Sequence, residues 1–213
     1  IMIKKIIFDL DNTIIMWNDT YYKSLNKTFE HLNIDYSEEA ITKIKEAVDN
    51  YEKEYNTFDK TDMKNMFEEY SKIKLPNNFI DTWIYYLKEC YPKKIDKSLV
   101  DTLEYLSSKY ELVVLTNWFT ESQVGRLKNC GLLKYFKEVI GTDNILNKPN
   151  KEAYLKAIYP DNIEECVMIG DSIDTDIKGA INLGMNAILC NYKNKYNGNL
   201  KNIKKIEEIK NIL

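Results

Sequence analysis

The chain opens with Ile3-Lys4-Lys5-Ile6-Ile7-Phe8-Asp9-Leu10-Asp11-Asn12-Thr13, an apolar run that ends in two aspartates one residue apart. This pattern predicts a buried β-strand with Asp9 and Asp11 at its carboxyl end, where α/β folds place their active sites. A carboxylate at the edge of an apolar core is costly unless a cation or a shared proton neutralises it. The two acids therefore indicate a metal site or a proton-sharing site, although a strand that simply ends in a polar turn would look the same.

Three later segments repeat this arrangement of an apolar run followed by polar residues. Leu112-Val113-Val114-Leu115 ends in Thr116-Asn117, Val139-Ile140-Gly141 is followed by Lys148-Pro149, and Cys166-Val167-Met168-Ile169-Gly170 ends in Asp171-Ser172-Ile173-Asp174-Thr175-Asp176. Strands of a parallel sheet present their carboxyl ends on one edge, whereas the ends alternate between opposite edges in a meander. A parallel sheet would bring all four polar groups together.

The hydrophobic periodicity changes along the chain. Residues 19 to about 90 carry apolar stripes at helical spacing and no strand-like run, which predicts a helical bundle inserted after the first strand. From about residue 97 strands and helices alternate, up to a closing helix that contains Ile203, Ile206 and Ile209. This alternation predicts a parallel sheet with helices on both faces.

The predicted fold class is therefore α/β. We expect a Rossmann-like core over residues 1–16 and 95–213 and an inserted all-α helical-bundle cap over residues 17–94. The length of 213 residues suits a core that carries such an insertion.

Composition argues against several classes of protein. A net charge of −3 with interspersed lysines and acids argues against a nucleic-acid surface. No apolar run reaches the roughly 18 residues that would span a bilayer. The first segment is already a core strand, so we expect no signal peptide, no membrane partner and a cytoplasmic protein.

The cysteines and the histidine do not form a recognisable catalytic pattern. Cys90, Cys130, Cys166 and Cys190 contain no C-x-x-C pair, which is typical of small buried side chains in a reducing compartment. The single histidine, His31, falls in a predicted helix far from the polar motifs. This argues against a Ser-His or Cys-His hydrolase and leaves catalysis to carboxylates.

The ordered motifs Asp-x-Asp-x-Thr, Thr-Asn, Lys-Pro and Gly-Asp-Ser-x-x-Thr-Asp resemble the four motifs of the haloacid dehalogenase (HAD) superfamily, specifically its phosphatase branch with a helical (C1-type) cap. The similarity extends to the connecting segments 123–136 and 176–185. It covers the chain from Ile3 to about Cys190, with the cap similar only in length and helical character. The resemblance implies a HAD-family phosphatase that hydrolyses phosphoric monoesters.

The resemblance also implies a role for each motif residue. Asp9 would attack phosphorus to give an aspartyl-phosphate, while Asp11 would protonate the leaving oxygen and later activate water. Thr116, Asn117 and Lys148 would bind the oxygens of the transferred phosphoryl group. Lys148 would also lie against Asp9 and keep this nucleophile ionised.

A phosphate monoester repels a carboxylate nucleophile, and a Mg²⁺ ion that touches both would offset the repulsion. Mg²⁺ takes six oxygens, commonly one or two carboxylates together with waters and phosphate. Asp9 and Asp171 could supply these carboxylates, and the resemblance adds the backbone carbonyl of Asp11. Asp176 is either a water-mediated metal contact or a residue that holds Lys148.

Two residues discriminate among related activities. Dehalogenases of the superfamily lack an acid at the position of Asp11, because a halide leaving group needs no proton. Phosphomutases keep this acid but usually have glycine where this chain has Asn12. A phosphatase is favoured, with a phosphomutase or a catalytically silent phospho-ligand-binding member as alternatives. A phosphoacceptor receiver domain would place its lysine after the last acid, whereas Lys148 precedes Asp171.

A helical cap over the strand ends would limit the volume of the site and favour small phosphorylated metabolites, such as a sugar phosphate, phosphoglycolate or a nucleoside monophosphate. Trp17, Tyr21, Asn117 and Trp118 are candidates for substrate specificity by position. The two tryptophans could equally pack the cap against the core. We expect a monomer or homodimer without a nucleic-acid partner.

Overall fold

The structure is a computed structural model that describes residues 2–17 and 21–213, and of Tyr21 only the backbone. Six strands within these residues are β1 (Lys5–Phe8), β2 (Glu111–Thr116), β3 (Glu138–Gly141), β4 (Cys166–Gly170), β5 (Asn186–Cys190) and β6 (Asn202–Ile203). They form one sheet in the order β3-β2-β1-β4-β5-β6, and each pair of neighbours is parallel. The predicted parallel α/β fold is confirmed.

The described α-helices fall into two groups. Four lie between β1 and β2 and form what we call the cap helices: α1 (Tyr21–His31), α2 (Glu38–Glu54), α3 (Lys60–Ser71) and α4 (Phe79–Leu87). The others flank the sheet strands: α5 (Lys97–Ser107), α6 (Thr120–Asn129), α7 (Lys151–Ile158) and α8 (Lys178–Asn182). Among the described residues, no helix combines the length and the apolar character needed to cross a membrane.

The strand β1 lies at the centre of the sheet, between β2 and β4. Its residues Ile6, Ile7 and Phe8 are fully buried because helices cover both faces of the sheet. Phe8 lies opposite Val114 of β2 and Ile169 of β4. The polar residues that follow these three strands therefore reach the same edge of the sheet.

The alternation of side chains along β1 divides the core into two layers. Ile6 and Phe8 pack in an apolar cluster with Leu103 and Leu106 of α5. Ile7 faces the opposite side and belongs to a cluster with residues of α7 and α8, among them Tyr154.

The cap helices have an apolar cluster of their own. Its large members include Phe29, Tyr51, Phe67 and Trp83, none of which is exposed. Trp118, which follows β2, packs into the same cluster and links the cap helices to the sheet. All four cap helices lie within the range predicted for the cap, while the division into two domains stays a prediction.

Local side-chain hydrogen bonds set the start of two cap helices. Ser37 Oγ accepts from the Ala40 amide at 3.2 Å, before α2. Asp59 Oδ1 accepts from the amides of Thr61 and Asp62 at 2.7 and 3.0 Å, before α3. Such caps satisfy amides that have no partner within the first turn of a helix.

The predicted closing helix is wrong in its first part. Ile203 lies in β6, where it pairs with Cys190 of β5 and is fully buried. Only Ile206–Asn211 is helical, as a 3₁₀-helix, and the side chain of Ile209 within it is buried. A sheet edge with unpaired backbone groups was available to the segment before Ile206, and pairing there replaces the helical hydrogen bonds.

Candidate active site

The four polar motifs meet at the carboxyl edge of the sheet. A cavity of about 180 Å³ opens there, and its lining comprises Asp9, Asp11, Glu52, Thr116, Asn117, Lys148, Asp171, Ser172, Thr175 and Asp176. Asp9 follows β1, Thr116 ends β2, and Asp171 follows β4. The structure thus brings together all the residues predicted for catalysis, phosphate binding and metal binding. Their individual roles stay predictions.

Lys148 is the cation at the centre of the cavity. Its Nζ lies 2.8 Å from Asp9 Oδ1 and 2.6 Å from Asp176 Oδ1, and the side chain is 1% exposed. Burial alone would lower the pKa of Lys148, but the charges of Asp176 and Asp9 outweigh burial and raise it. The ammonium group therefore stays charged and compensates part of the negative charge of the site.

Asp176 is held in place from two sides. Its Oδ1 accepts from Lys148, and its Oδ2 accepts from the Ser172 amide at 3.0 Å. A Cβ atom at Gly170 would overlap Asp176 Oδ2, so this arrangement requires a glycine there. Asp174, by contrast, has an exposed side chain and pairs with Lys178 at 2.7 Å.

Three of the predicted metal ligands form a group that could hold a cation. Oxygens of Asp9, Asp171 and Asp176 lie within 4.8 Å of one another. Burial, followed by the charge of Asp176, raises the pKa of Asp171 to about 6. Burial also raises the pKa of Asp9, although Lys148 opposes this effect. A divalent cation would relieve the cost of ionising these acids, and carboxylate oxygens are ligands that suit Mg²⁺.

Asp11 lies beside this group, and both its oxygens have other partners. Oδ1 accepts from Arg126 Nη1 at 2.6 Å, and Oδ2 accepts from Gln123 Nε2 at 2.8 Å. The side chain of Asp11 is 23% exposed, so it remains accessible from the cavity. Gln123 Nε2 also lies 3.1 Å from Thr116 Oγ1.

The turn after Asp11 requires an unusual backbone conformation. Asn12 adopts a φ of 63°, in the left-handed region that asparagine and glycine tolerate best. Its Oδ1 accepts from the Trp17 amide at 3.1 Å. Asparagine thus supports this turn without the glycine that is usual in phosphomutases.

Asn117 binds protein groups with its side chain. Its Oδ1 accepts from the Lys148 amide at 2.8 Å, and its Nδ2 donates to the Lys148 carbonyl at 2.9 Å. The same Nδ2 donates to Glu52 Oε2 at 2.8 Å. The side chain therefore fixes the backbone of Lys148 and connects it to cap helix α2.

The proposed specificity residues are placed differently from the motif residues. Trp118 is 7% exposed and packs edge-on against Trp83 and Trp17, with ring centroids 5.8 and 5.9 Å apart. Trp17 covers the guanidinium of Arg126, whose Cζ lies 5.0 Å from the ring centroid. Neither indole is among the residues that line the cavity. The side chain of Tyr21 lies outside the described residues.

The sequence reasoning did not single out Gln123, Arg126 or Glu52. Gln123 and Arg126 are one helical turn apart in α6, so their spacing predicts that they share a face of the helix, but it does not indicate that this face lies against Asp11. Glu52 is the cap residue among those lining the cavity. It lies in a charged stretch of α2 that has no distinguishing pattern.

Comparison with known proteins agrees with this geometry. The profile of the haloacid dehalogenase-like hydrolases matches residues 6–190. A glyceraldehyde 3-phosphate phosphatase from Methanothermobacter thermautotrophicus is 28% identical over 204 residues, which cover 89% of this chain and 86% of the relative.

Two crystal structures share the fold over nearly their whole length. YfnB from Bacillus subtilis, bound to magnesium, has a TM-score of 0.74 at 23% identity and is matched over 100% of this chain and 99% of its own. A HAD phosphatase from Thermococcus onnurineus has a TM-score of 0.70 at 25% identity, over 99% and 97% of the two chains.

Proposed function

The chain belongs to the haloacid dehalogenase-like hydrolase family, as a phosphatase, and we propose that it uses Mg²⁺ to hydrolyse small phosphorylated metabolites through an aspartyl-phosphate on Asp9. One observation carries this proposal. The buried Lys148 ammonium bridges Asp9 and Asp176, and one oxygen of Asp171 lies within 4.8 Å of an oxygen of each of these acids. This combination provides a nucleophile, a cation for phosphate and a carboxylate set for a metal ion.

The chain's own residues account for the first half of the reaction. An oxygen of Asp9 attacks phosphorus, and the bond between phosphorus and the leaving oxygen breaks as the new bond forms. Asp11 donates a proton to the leaving oxygen, which departs as an alcohol. Lys148 and the hydroxyl of Thr116 hold the phosphoryl oxygens as charge shifts onto them. Bound Mg²⁺ would reduce the repulsion between the phosphate and Asp9.

The second half of the reaction returns the protein to its initial state. Asp11, now ionised, takes a proton from a water molecule that attacks the aspartyl-phosphate. Phosphate leaves, and Asp9 is regenerated as a carboxylate. Asp9, Asp171 and the Asp11 carbonyl would hold the metal ion, while Asp176 holds Lys148 at 2.6 Å and stays close enough for a water-mediated contact.

Support for the metal and the substrate class comes from two similar proteins. YfnB was crystallised with magnesium, and the relative from Methanothermobacter thermautotrophicus is a glyceraldehyde 3-phosphate phosphatase. The cavity of about 180 Å³ suits a small ester, and Glu52 of the cap helices lines it together with the motif residues. We therefore propose small sugar phosphates as the first class to test.

The test is a phosphate-release screen over a panel of sugar phosphates, phosphoglycolate and nucleoside monophosphates. We expect turnover with Mg²⁺ and loss of turnover in EDTA. Ca²⁺ should substitute poorly, because its larger and more variable coordination shell would misplace Asp9. Full turnover in metal-free buffer would contradict the proposed mechanism, and transfer of phosphate between two positions of a sugar would indicate a phosphomutase instead.

A further inference from the structure

Arg126 is a buried cation at the back of the site that the catalytic scheme leaves unassigned. Its side chain is 1% exposed, and its Nη1 lies 2.6 Å from Asp11 Oδ1. The same Nη1 donates to Gln123 Oε1 at 2.9 Å. The positive charge nearest to Asp11 therefore comes from α6, whereas Asp9 is paired with Lys148.

The other contacts of Arg126 are with the two points where the chain passes between the sheet and the cap helices. Nε donates to the carbonyl of Cys90, just after α4, at 2.7 Å. The Trp17 ring, ahead of α1, covers the guanidinium with 5.0 Å between Cζ and the ring centroid. A single side chain thus contacts Asp11 and both connections to the cap helices.

We propose that Arg126 is a positioning residue, which holds the carboxyl group of Asp11 in the orientation needed for proton transfer and couples that orientation to the cap connections. The proposal rests on the proposed function, in which Asp11 is the acid and base. Gln123 completes the arrangement, because it binds the second oxygen of Asp11 and also Thr116. Each oxygen of Asp11 accepts one hydrogen bond and keeps a lone pair. That lone pair can carry the proton that Asp11 gives to the leaving oxygen or takes from water.

The chemistry of arginine fits this task. Its guanidinium is planar, stays charged at all physiological pH values and offers donors in a fixed geometry. These donors bind Asp11, Gln123 and the Cys90 carbonyl at the same time. A lysine at this position could reach Asp11 but could not reproduce all three contacts.

Leaving-group chemistry separates this role from a general structural one. p-Nitrophenolate leaves from phosphorus without a proton, whereas an alkoxide needs one from Asp11. The value of kcat/KM reports the steps through formation of the aspartyl-phosphate. If Arg126 acts through Asp11, its loss should reduce kcat/KM for an alkyl phosphate and leave that for p-nitrophenyl phosphate nearly unchanged.

The experiment compares Arg126→Met, Arg126→Lys and the exposed control Lys128→Met on an alkyl phosphate and on p-nitrophenyl phosphate. Arg126→Met should lower kcat/KM at least about tenfold more for the alkyl ester than for the aryl ester. Arg126→Lys should recover part of this loss, and the control should behave like the unaltered protein. Equal losses on both esters would overturn the proposal.

A double-mutant cycle with Asp11→Asn gives the second readout. In that background, Arg126→Met should change the residual kcat for p-nitrophenyl phosphate by less than about twofold, because the group it positions is no longer an acid or base. An undiminished effect of Arg126→Met would overturn the positioning role. If Arg126→Met does not fold, Arg126→Lys provides the same comparison. Absence of turnover by the unaltered protein on every ester would instead refute the proposed function.

Discussion

A buried lysine lies at each end of the parallel strands, Lys5 at the amino edge and Lys148 at the carboxyl edge. The two edges differ in how far the lysines balance the charges of the surrounding acids. At the amino edge, Lys5 Nζ lies 2.8 Å from Asp161 and 3.2 Å from Glu111. It also donates to the carbonyls of Ile158 and Tyr159, both at 2.9 Å. At the carboxyl edge, Lys148 bridges two buried acids and has further acids nearby.

The pKa values show what this difference means. Burial would raise the pKa of Glu111, but hydrogen bonds from Lys137 and Lys5 outweigh burial and lower it. At the carboxyl edge the pKa of Asp171 is instead raised, by burial and then by Asp176. The acids of the amino edge are thus compensated by lysines, whereas ionised Asp171 at the carboxyl edge is compensated incompletely, and either a proton or a bound cation would relieve it. Uncompensated buried charge lowers stability and is characteristic of a functional site.

The largest predicted effect comes from the same substitution at each edge. Asp9→Asn should reduce kcat by more than about a hundredfold, or roughly 3 kcal/mol of transition-state stabilisation, because an amide is not a nucleophile. Asp161→Asn should leave kcat per folded molecule unchanged. Steady-state kinetics and trapping of the phosphorylated protein measure both. Retention of more than about a hundredth of kcat in Asp9→Asn would exclude Asp9 as the nucleophile.

The lysines provide the second contrast. Lys5→Met should lower the free energy of unfolding by about 2–3 kcal/mol, since two carbonyls and two carboxylates lose their donor, while kcat stays unchanged. Lys148→Met should lower both stability and kcat. Denaturant unfolding and steady-state kinetics on the two proteins test this comparison. A large fall in kcat for Lys5→Met would show that the amino edge also contributes to activity.

The tryptophans test whether the cap side of the carboxyl edge selects the substrate. Because Trp118 packs in the apolar cluster of the cap helices, Trp118→Ala should lower the free energy of unfolding by about 3–4 kcal/mol, and Trp118→Phe by much less. Trp17→Ala should have the smaller effect on stability, since Trp17 is only partly buried. If either substitution changes the ratio of kcat/KM between two substrates by more than about tenfold, the predicted specificity role of that residue is established.

The smallest effect is a pH dependence of metal-free stability. Because the pKa of Asp171 is raised to about 6 in the folded protein, the folded state holds this proton more tightly than the unfolded chain does. The contribution of the bound Asp171 proton to the free energy of unfolding is therefore present at low pH. It is lost as the pH rises from the ordinary pKa range of aspartate through about 6. In EDTA, the stability difference between the unaltered protein and Asp171→Asn should change across that window. Mg²⁺ should stabilise the unaltered protein at neutral pH.

Local patterns in the sequence predicted the strands β1, β2, β3 and β4, because each contains a short apolar run with buried residues. They failed at Ile203, which joins the sheet beside β5, and they did not anticipate the π-helical turn at Ile173–Ile177 before α8. In both segments the hydrogen-bond partners available in the folded protein decided the outcome, and helical spacing alone does not contain that information.

The sequence by itself determined the parallel α/β core, the inserted helices and the meeting of the four motifs at one edge. These features follow from periodicity, which is a local property of the chain, and from the rule that strands joined through helices run parallel. Only the tertiary structure decided which cation pairs with which acid. Lys148 and Asp9 are 139 positions apart, and Arg126 and Asp11 are 115 apart. Such pairings depend on how α6 and the segment before α7 pack against the sheet, and they have no signature in the spacing of neighbouring residues.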